Sequence, residues 1–249
     1  MLRRLRLVVS YDGRAFAGWQ SQASGNTIQD LLEAAFLRIA GQKVRVHGAG
    51  RTDAGVHALA QSAHADVPGA RLSPDRWGAA LNAFLPLTIR IMSSRFVKDA
   101  FHARFSAKGK VYRYRIWNDC TLPPLELGRA WHVAGPIDRE KMRREAGLFV
   151  GKHDFASFAA NRGTAAGDTI RAIDSVKLRQ GIKHLELDIS GDGFLYKMVR
   201  LIVGGLVRSS SGKSADGELE ERLKNPKRLM AKARFVAPAH GLYLVRVRY

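Results

Sequence analysis

An arginine and an aspartate lie two residues apart on a glycine-rich stretch of the chain. The stretch runs Gly48-Ala49-Gly50-Arg51-Thr52-Asp53-Ala54-Gly55-Val56-His57. Its three glycines allow a tight turn and a close approach of the backbone to a ligand. The planar guanidinium of Arg51 can bind a phosphate, and the carboxylate of Asp53 can act as a base or a nucleophile. The competing interpretation is that Asp53 only forms a turn, stabilised by its own backbone hydrogen bonds.

The net charge indicates a polyanionic partner. Lys and Arg number 41 against 22 Asp and Glu, which gives a formal net charge of +19 over 249 residues. Such an excess favours nucleic acid over a generic basic protein whose charges are only solvated. A membrane surface is disfavoured because no basic amphipathic helix stands out, and the apolar stretch 201–207 contains two glycines and is too short to span a bilayer.

The single cysteine and the N-terminal residues indicate where the protein resides. Cys120 has no second cysteine with which to form a disulfide in the chain, which fits a reducing cytosol. The first residues carry charges inside a short apolar run and no small-residue cleavage pattern, so we expect no signal peptide. These features predict a cytoplasmic protein.

Apolar spacing predicts a split βαβ unit in the first half of the chain, with the order strand, helix, strand, strand, helix, strand. The two helices carry start signals, a Thr27 capping box and the Ser73-Pro74 pair. The first helix is expected to end at Gly41. The expected strands are 5–11, Val44 to Val46, Val56 to Val67 and 87–91, and the second helix is expected to bury Trp77, Ala80, Leu81 and Phe84.

The second half has a similar pattern. We expect strands around 112–116, 173–178, 185–189 and 243–247, helices after Asp138 and from Met198, and a loop-rich segment from 153 to 167. The sequence therefore predicts an α+β fold with two ferredoxin-like or RRM-like halves, residues 1–104 carrying the glycine-rich loop and residues 105–249. Their mainly antiparallel sheets are expected to form a central mixed sheet flanked by helices.

Metal binding and nucleotide hydrolysis are alternatives for this region. His47, Asp53, His57, His64 and Asp66 lie within twenty residues, but no pair has a distinctive metal-binding spacing. The competing interpretation places His64 and Asp66 on the polar face of a strand. Nucleotide hydrolysis is disfavoured because the loop lacks a Walker lysine and no helix follows it.

A strand that alternates aromatic and basic residues, Val111-Tyr112-Arg113-Tyr114-Arg115, suits RNA. The face of Tyr112 can stack on an extruded base while the arginines hold the backbone around it. The alternative is core packing, since Tyr114 and Ile116 share the face of Tyr112. An enzyme that acts on a base inside RNA must first pull the base out of its stack, and these residues supply the parts for that step.

Taken together, these stretches resemble the bacterial tRNA pseudouridine synthase A family. The glycine-rich loop matches the catalytic signature of the family, and other motifs follow in the family's order over nearly the whole chain. They are Tyr11-Asp12-Gly13 with Gly18-Trp19-Gln20; Phe105-Ser106-Ala107 with 110–114; His153-Asp154-Phe155 with Ser157-Phe158; 193–200; and Ala237-Pro238 with Gly241-Leu242-Tyr243.

The resemblance implies conversion of uridine to pseudouridine at positions 38 to 40 of the tRNA anticodon arm, without cofactor or metal. It makes Asp53 the essential carboxylate, which either attacks C1′ or removes the C2′ proton. It assigns Arg200 as the cation that keeps Asp53 ionised, Tyr112 as the stacking partner of the base, and Arg51 as an RNA contact. It also implies a homodimer, with one tRNA spanning both subunits.

Two other functions remain open from the residues themselves. One is a non-catalytic RNA-binding protein that uses the basic surface and Tyr112 and leaves Asp53 idle. The other is a metal-dependent RNA hydrolase, which would lose activity in chelator.

Overall fold

The structure is a computed structural model that describes residues 1–69, 72–160, 168–226 and 235–249. The chain forms two compact units. Unit 1 consists of Met1–Lys108 and Tyr243–Tyr249, and unit 2 consists of Gly109–Leu242.

Both units contain helices and strands. In chain order the elements are β1 (Leu2–Tyr11), α1 (Ile28–Ala40), β2 (His47–Gly48), β3 (His57–Pro68), α2 (Pro74–Phe84), β4 (Ile89–Phe96), β5 (Gly109–Trp117), β6 (Trp131–His132), α3 (Arg139–Gly147), β7 (Gly151–Asp154), β8 (Ile170–Gln180), β9 (His184–Gly191), α4 (Met198–Ser210), α5 (Glu218–Lys224) and β10 (Leu242–Arg248). Within the described residues, no helix is long and apolar enough to cross a membrane.

The sheet of unit 1 has the strand order β4-β1-β3-β10, and β2 pairs with β3. β1 runs antiparallel to both β3 and β4, whereas β10 runs parallel to β3 and places Tyr243 opposite His57. Alternation along β1 buries Leu5, Leu7, Val9 and Tyr11 and turns the intervening side chains to the other face. The predicted order strand, helix, strand, strand, helix, strand is confirmed.

The start and stop signals of both unit 1 helices act as the sequence predicts. The Thr27 side chain accepts a hydrogen bond from the Asp30 amide, and Gly41 ends α1 in the left-handed conformation. The Ser73 side chain caps α2 in the same way, with Pro74 at the first helical position.

Two local expectations for unit 1 are wrong. Val44 and Val46 are buried but do not form a strand, because side chains of α1 bind the backbone there: Glu33 accepts from the Val46 amide and Gln29 donates to the Val46 carbonyl. Of the residues expected to be buried on α2, Trp77 and Leu81 are buried, Ala80 is half-buried and Phe84 is 49% exposed. Phe84 is the last residue of α2.

Unit 2 contains a sheet with the strand order β5-β9-β8-β7, in which neighbouring strands are antiparallel, and β6 pairs with β5 in parallel. The Asp138 cap of α3 and the helix from Met198 are confirmed. The sequence analysis did not predict α5. Residues 161–167 of the expected loop-rich segment lie outside the described residues, and β7 occupies its start. Both units combine helices with a mainly antiparallel sheet that includes one parallel pair, so the predicted α+β class is confirmed.

Candidate active site

The glycine-rich loop, residues 49–56, connects β2 to β3 in unit 1, and its backbone is fixed at several points. At the β2 end, the Ala49 amide donates to the Ser62 carbonyl at 2.8 Å, and the Gln61 side chain donates to the Gly50 carbonyl at 2.9 Å. At the β3 end, the Val56 amide donates to the Asp53 carbonyl at 3.1 Å and closes a turn. The loop is therefore held on both sides of Asp53.

Two glycines of the segment after β1 let that segment pack directly on the loop backbone. A Cβ atom on Gly13 would lie 2.0 Å from the Val56 carbonyl oxygen, and one on Gly18 would lie 2.6 Å from the Thr52 carbonyl oxygen. Gly18 also has a φ of +97°, a left-handed conformation that favours glycine. Larger residues at these positions would push the loop out of place.

Thr52 anchors the loop between its two functional candidates. Its hydroxyl and the Tyr11 hydroxyl form a buried hydrogen bond of 2.8 Å, and its carbonyl accepts from the Trp19 amide at 3.0 Å. With Thr52 buried, Arg51 is exposed and Asp53 is partly exposed. The loop thus carries an exposed arginine and a partly exposed aspartate on a fixed backbone.

A chain of side-chain amides orients Arg51. Its Nε donates to Gln20 Oε1 at 3.0 Å, and Gln20 Nε2 in turn donates to Gln29 Oε1 at 3.0 Å. Gln29 is 4% exposed and lies on α1. This contact fixes one edge of an exposed guanidinium, a group well suited to binding a phosphate.

A second carboxylate, Asp12, lies beside the loop but is committed to Arg14. The guanidinium binds both carboxylate oxygens at 2.6 to 3.0 Å. Burial opposes ionisation of Asp12, but the hydrogen bonds from Arg14 outweigh it and lower the pKa of Asp12. His57 Nδ1 lies 3.3 Å from Asp12 and accepts from the Gly13 amide at 3.2 Å. Asp12 therefore links Arg14 with His57 at the start of β3.

Tyr112 lies on β5 in unit 2 and is 8% exposed. It is opposite Ile189 on β9, and its ring makes an edge-to-face contact with Phe194 at 5.0 Å between centroids. Tyr114 and Ile116 are buried on the same face. The contact joins β5 to the 193–200 motif, while stacking of a base on Tyr112 stays a prediction.

Arg113 and Arg115 lie on the opposite face of β5 from Tyr112 and are paired with acidic side chains. Arg113 binds Asp188 in a bidentate pair at 2.7 and 3.0 Å and lies 3.3 Å from Glu186. Arg115 lies 3.4 Å from Glu186, and Glu126 is a further partner. The expectation that these arginines hold the backbone around a base on Tyr112 is therefore wrong, because strand alternation turns them away from it.

Arg200 lies on α4 and is held by Ala237, which belongs to the motif nearest the C-terminus. Its Nε donates to the Ala237 carbonyl at 2.7 Å, and its own carbonyl accepts from the Ala237 amide at 3.1 Å. The next residue, Pro238, accepts from the Tyr114 hydroxyl at 2.7 Å. Burial raises the pKa of Tyr114, and the positive charge of Arg200 opposes this rise. Arg200 and Asp53 belong to different units, and their pairing stays a prediction.

Sequence reasoning missed the conformation of Lys197, which precedes α4 within the 193–200 motif. Its φ of 60° lies in the left-handed region, a strained conformation for a residue with a long side chain. No composition or spacing signal distinguishes this lysine from its neighbours in the sequence.

The histidine-rich part of unit 1 forms ring contacts. His47 and His64 face each other across β2 and β3 with their rings stacked at 5.0 Å. Over residues 1–69, 72–160, 168–226 and 235–249, no group of three His, Cys, Asp or Glu side chains is placed to hold a metal ion.

The comparisons with known proteins identify the family. The family described as tRNA pseudouridine synthase matches residues 7–106 and 146–249. The chain belongs to the tRNA pseudouridine synthase family. The tRNA pseudouridine synthase A of Akkermansia muciniphila is 45% identical over 100% of this chain and 96% of its own length. That of Acetivibrio thermocellus is 42% identical over 100% of both chains, and that of Bacillus licheniformis is 41% identical over 99% of both.

The matched ranges of the synthase family include Arg51, Asp53 and Arg200, whereas Tyr112 lies between them. The full-length relatives cover all four residues. A crystal structure of a Cbf5-Nop10-Gar1 complex is 11% identical, covers 82% of this chain and 44% of that chain, and has a TM-score of 0.39. That similarity is too weak to support a conclusion about this synthase.

Proposed function

We propose that this synthase isomerises uridine to pseudouridine at positions 38 to 40 of the tRNA anticodon arm, with Asp53 as the catalytic carboxylate. The bond from N1 to C1′ breaks, C5 bonds to C1′, the C5 proton is lost, and N1 gains a proton. The atoms balance without a co-reactant. Membership of the tRNA pseudouridine synthase family supports the reaction and the substrate.

The observation that carries the role of Asp53 is its partial exposure on a backbone that is held on both sides. A fixed loop can present a charged group to the substrate without reorganising during the reaction. We therefore assign the role of catalytic carboxylate to Asp53.

The chemistry proposed for Asp53 requires its ionised form. Attack on C1′ and removal of the C2′ proton both start from a carboxylate. A cation close to a carboxylate stabilises its ionised form. We assign that role to Arg200, whose position is fixed by Ala237.

The remaining roles concern the RNA. Arg51 is exposed and oriented by Gln20, so it can contact a phosphate beside the target nucleotide. Tyr112 would stack on the target base and assist proton transfer, as the family resemblance implies. These contacts would hold the extruded nucleotide against Asp53.

We further propose that the protein acts in the cytoplasm as a homodimer that binds one tRNA across both subunits. The chain mass is 27.5 kDa, so sedimentation velocity should show a species of twice that mass. A species of 27.5 kDa at micromolar concentration would contradict the homodimer without touching the catalytic role of Asp53.

The proposed activity is tested by measuring pseudouridine in an unmodified tRNA that carries uridines at positions 38 to 40. The wild type should convert them, and Asp53→Asn should bind tRNA without converting it. Asp75→Asn is the matched control, because Asp75 is an exposed carboxylate in the first turn of α2. It should retain full activity.

Two further arms separate the competing functions. A tRNA with cytidine at positions 38 to 40 should not react, and pseudouridine at another position would contradict the proposed site. Added chelator should leave the rate unchanged, since loss of activity there would favour metal-dependent chemistry. If the wild type binds tRNA but forms no pseudouridine, the RNA-binding function replaces the proposal.

A further inference from the structure

A hydrogen-bonded turn of unit 1, residues 102–106, carries an exposed phenylalanine. Phe105 is 76% exposed. The turn that carries it is closed by hydrogen bonds between His102 and Ser106 in both directions, at 2.9 and 3.0 Å. Ala103, inside the turn, is fully buried, and its carbonyl accepts from the Tyr249 hydroxyl at 2.7 Å. The exposure of Phe105 is thus imposed by a fixed backbone.

The rings of three histidines form a series of contacts that ends at Phe105. Its ring lies 4.4 Å from that of His102 at an interplanar angle of 32°, the His102 ring lies 4.6 Å from that of His64, and the His64 ring lies 5.0 Å from that of His47. A single exposed apolar residue is ordinary on a protein surface. A ring that ends a continuous series of aromatic contacts is instead a platform to which another flat ring can be added.

Two of the supporting histidines, His64 and His102, accept hydrogen bonds through their ring nitrogens. Burial, with a smaller contribution from His102 and His47, lowers the pKa of His64 to about 4, and burial also lowers the pKa of His102. The His64 Nδ1 accepts from the Ala103 amide at 3.1 Å, and the His102 Nδ1 accepts from the Arg104 amide at 3.1 Å. These two nitrogens are therefore unprotonated, and the rings of His64 and His102 take part in the platform as aromatic faces.

The charge near the platform suits an RNA strand. The guanidinium of Arg104 lies 5.6 Å from the Phe105 ring centroid, and the whole chain carries a formal charge of +19. Within residues 98–108, all of them described, Phe105 is the only large apolar side chain that is exposed. A protein partner would be expected to bury several such side chains together. One ring beside a cation matches a stacked base with its phosphate.

The platform and the catalytic loop both contact strand β3 of unit 1. His64 lies on β3, as does Gln61, whose side chain donates to the Gly50 carbonyl of that loop. The platform and Asp53 therefore belong to the same compact unit.

We propose that Phe105, supported by His102 and flanked by Arg104, is a stacking site for an unpaired base of the substrate RNA other than the uridine that reaches Asp53. This site rests on the proposed function, since it requires that the substrate is RNA. It extends that function by adding an RNA contact outside the catalytic loop.

The test is a titration of labelled tRNA with full-length protein in an Asp53→Asn background, so that no turnover occurs. Phe105→Ala and Phe105→Leu should each weaken binding by about 5- to 150-fold, the range expected for one base–aromatic stack. Phe105→Tyr should bind as tightly as the phenylalanine parent. Leucine keeps the apolar surface and tyrosine keeps the aromatic ring. Comparing the two variants therefore isolates the contribution of the ring to tRNA affinity.

Phe84→Ala is the matched control. Phe84 is also exposed in unit 1 and has an arginine guanidinium, that of Arg38, at 5.7 Å from its ring centroid. It lies at the end of α2, on a different element from the histidine platform. Its replacement should leave tRNA affinity unchanged.

Three outcomes would overturn the proposal that Phe105 stacks on a base. If Phe105→Ala binds tRNA as tightly as the parent, Phe105 makes no contact with RNA. If Phe105→Leu binds as tightly, the contact is apolar rather than aromatic. If a Phe105 variant loses self-association but keeps its RNA affinity, Phe105 lies in an interface between copies of the chain.

Because affinity is measured without turnover, this test is independent of pseudouridine formation by the wild type. An inactive wild type whose tRNA affinity depends on Phe105 would disprove only the proposed reaction.

Discussion

Arg200 is a residue whose structural and electrostatic roles can be separated. Its Nε binds the Ala237 carbonyl, and its charge is the proposed counterion of the Asp53 carboxylate. Arg200→Met removes both, whereas Arg200→Lys keeps the charge and loses the planar guanidinium. We expect Arg200→Met to lower kcat by at least about 100-fold, the scale of losing one preorganised electrostatic contact. Single-turnover kinetics measure the loss of rate, and a tRNA titration measures whether binding is also lost.

The lysine variant provides the control for Arg200. If the charge matters, Arg200→Lys should recover part of the rate that Arg200→Met loses. An unchanged rate in Arg200→Met would contradict the electrostatic role.

Among the elements, the segment between β1 and α1 matters because its glycines allow contact with the catalytic loop. In Gly18→Ala, the added Cβ would meet the Thr52 carbonyl oxygen at 2.6 Å in a left-handed backbone. We expect both a loss of unfolding free energy, of about 1 kcal/mol or more from the backbone alone, and a fall in turnover as the loop shifts. Chemical denaturation and pseudouridine formation measure these effects.

Gly25→Ala separates backbone strain from displacement of the loop. Gly25 also has a positive φ, +65°, but a Cβ there would meet no atom within 4 Å. Its replacement should cost about 1 kcal/mol of stability and leave turnover unchanged. Equal turnover losses in the two alanine variants would show that the contact between Gly18 and Thr52 does not position the loop.

The elements that the sequence predicts correctly are those whose signals are local. The caps at Thr27 and Ser73 and the alternation along β1 depend on residues that are neighbours in the chain. The strand expected at Val44 to Val46 is wrong because side chains of the preceding helix take its backbone hydrogen bonds. The parallel pairing of β10 with β3 joins residues far apart in sequence and has no local signal.

The same division between local and long-range signals applies to the candidate site. Arg51 and Asp53 are recognisable from the loop alone, since their types and spacing indicate chemistry. The contacts that fix the loop, from Tyr11 and Gly18, come from another segment and emerge only in the structure. The pairing of Arg113 with Asp188 depends on the register of β5 with β9, so it too was not predictable from composition.

The charge of the whole molecule determines how RNA binding responds to salt. With 41 basic residues against 22 acidic ones, binding of tRNA should release many counterions. If six to ten phosphates are contacted, affinity should fall by about 10³- to 10⁵-fold between 50 and 200 mM salt. Titrations of Asp53→Asn protein with tRNA across this range measure the slope. Arg51→Gln should make the slope shallower by about one unit if Arg51 binds a phosphate, whereas a flat salt response in the parent protein would contradict electrostatic binding altogether.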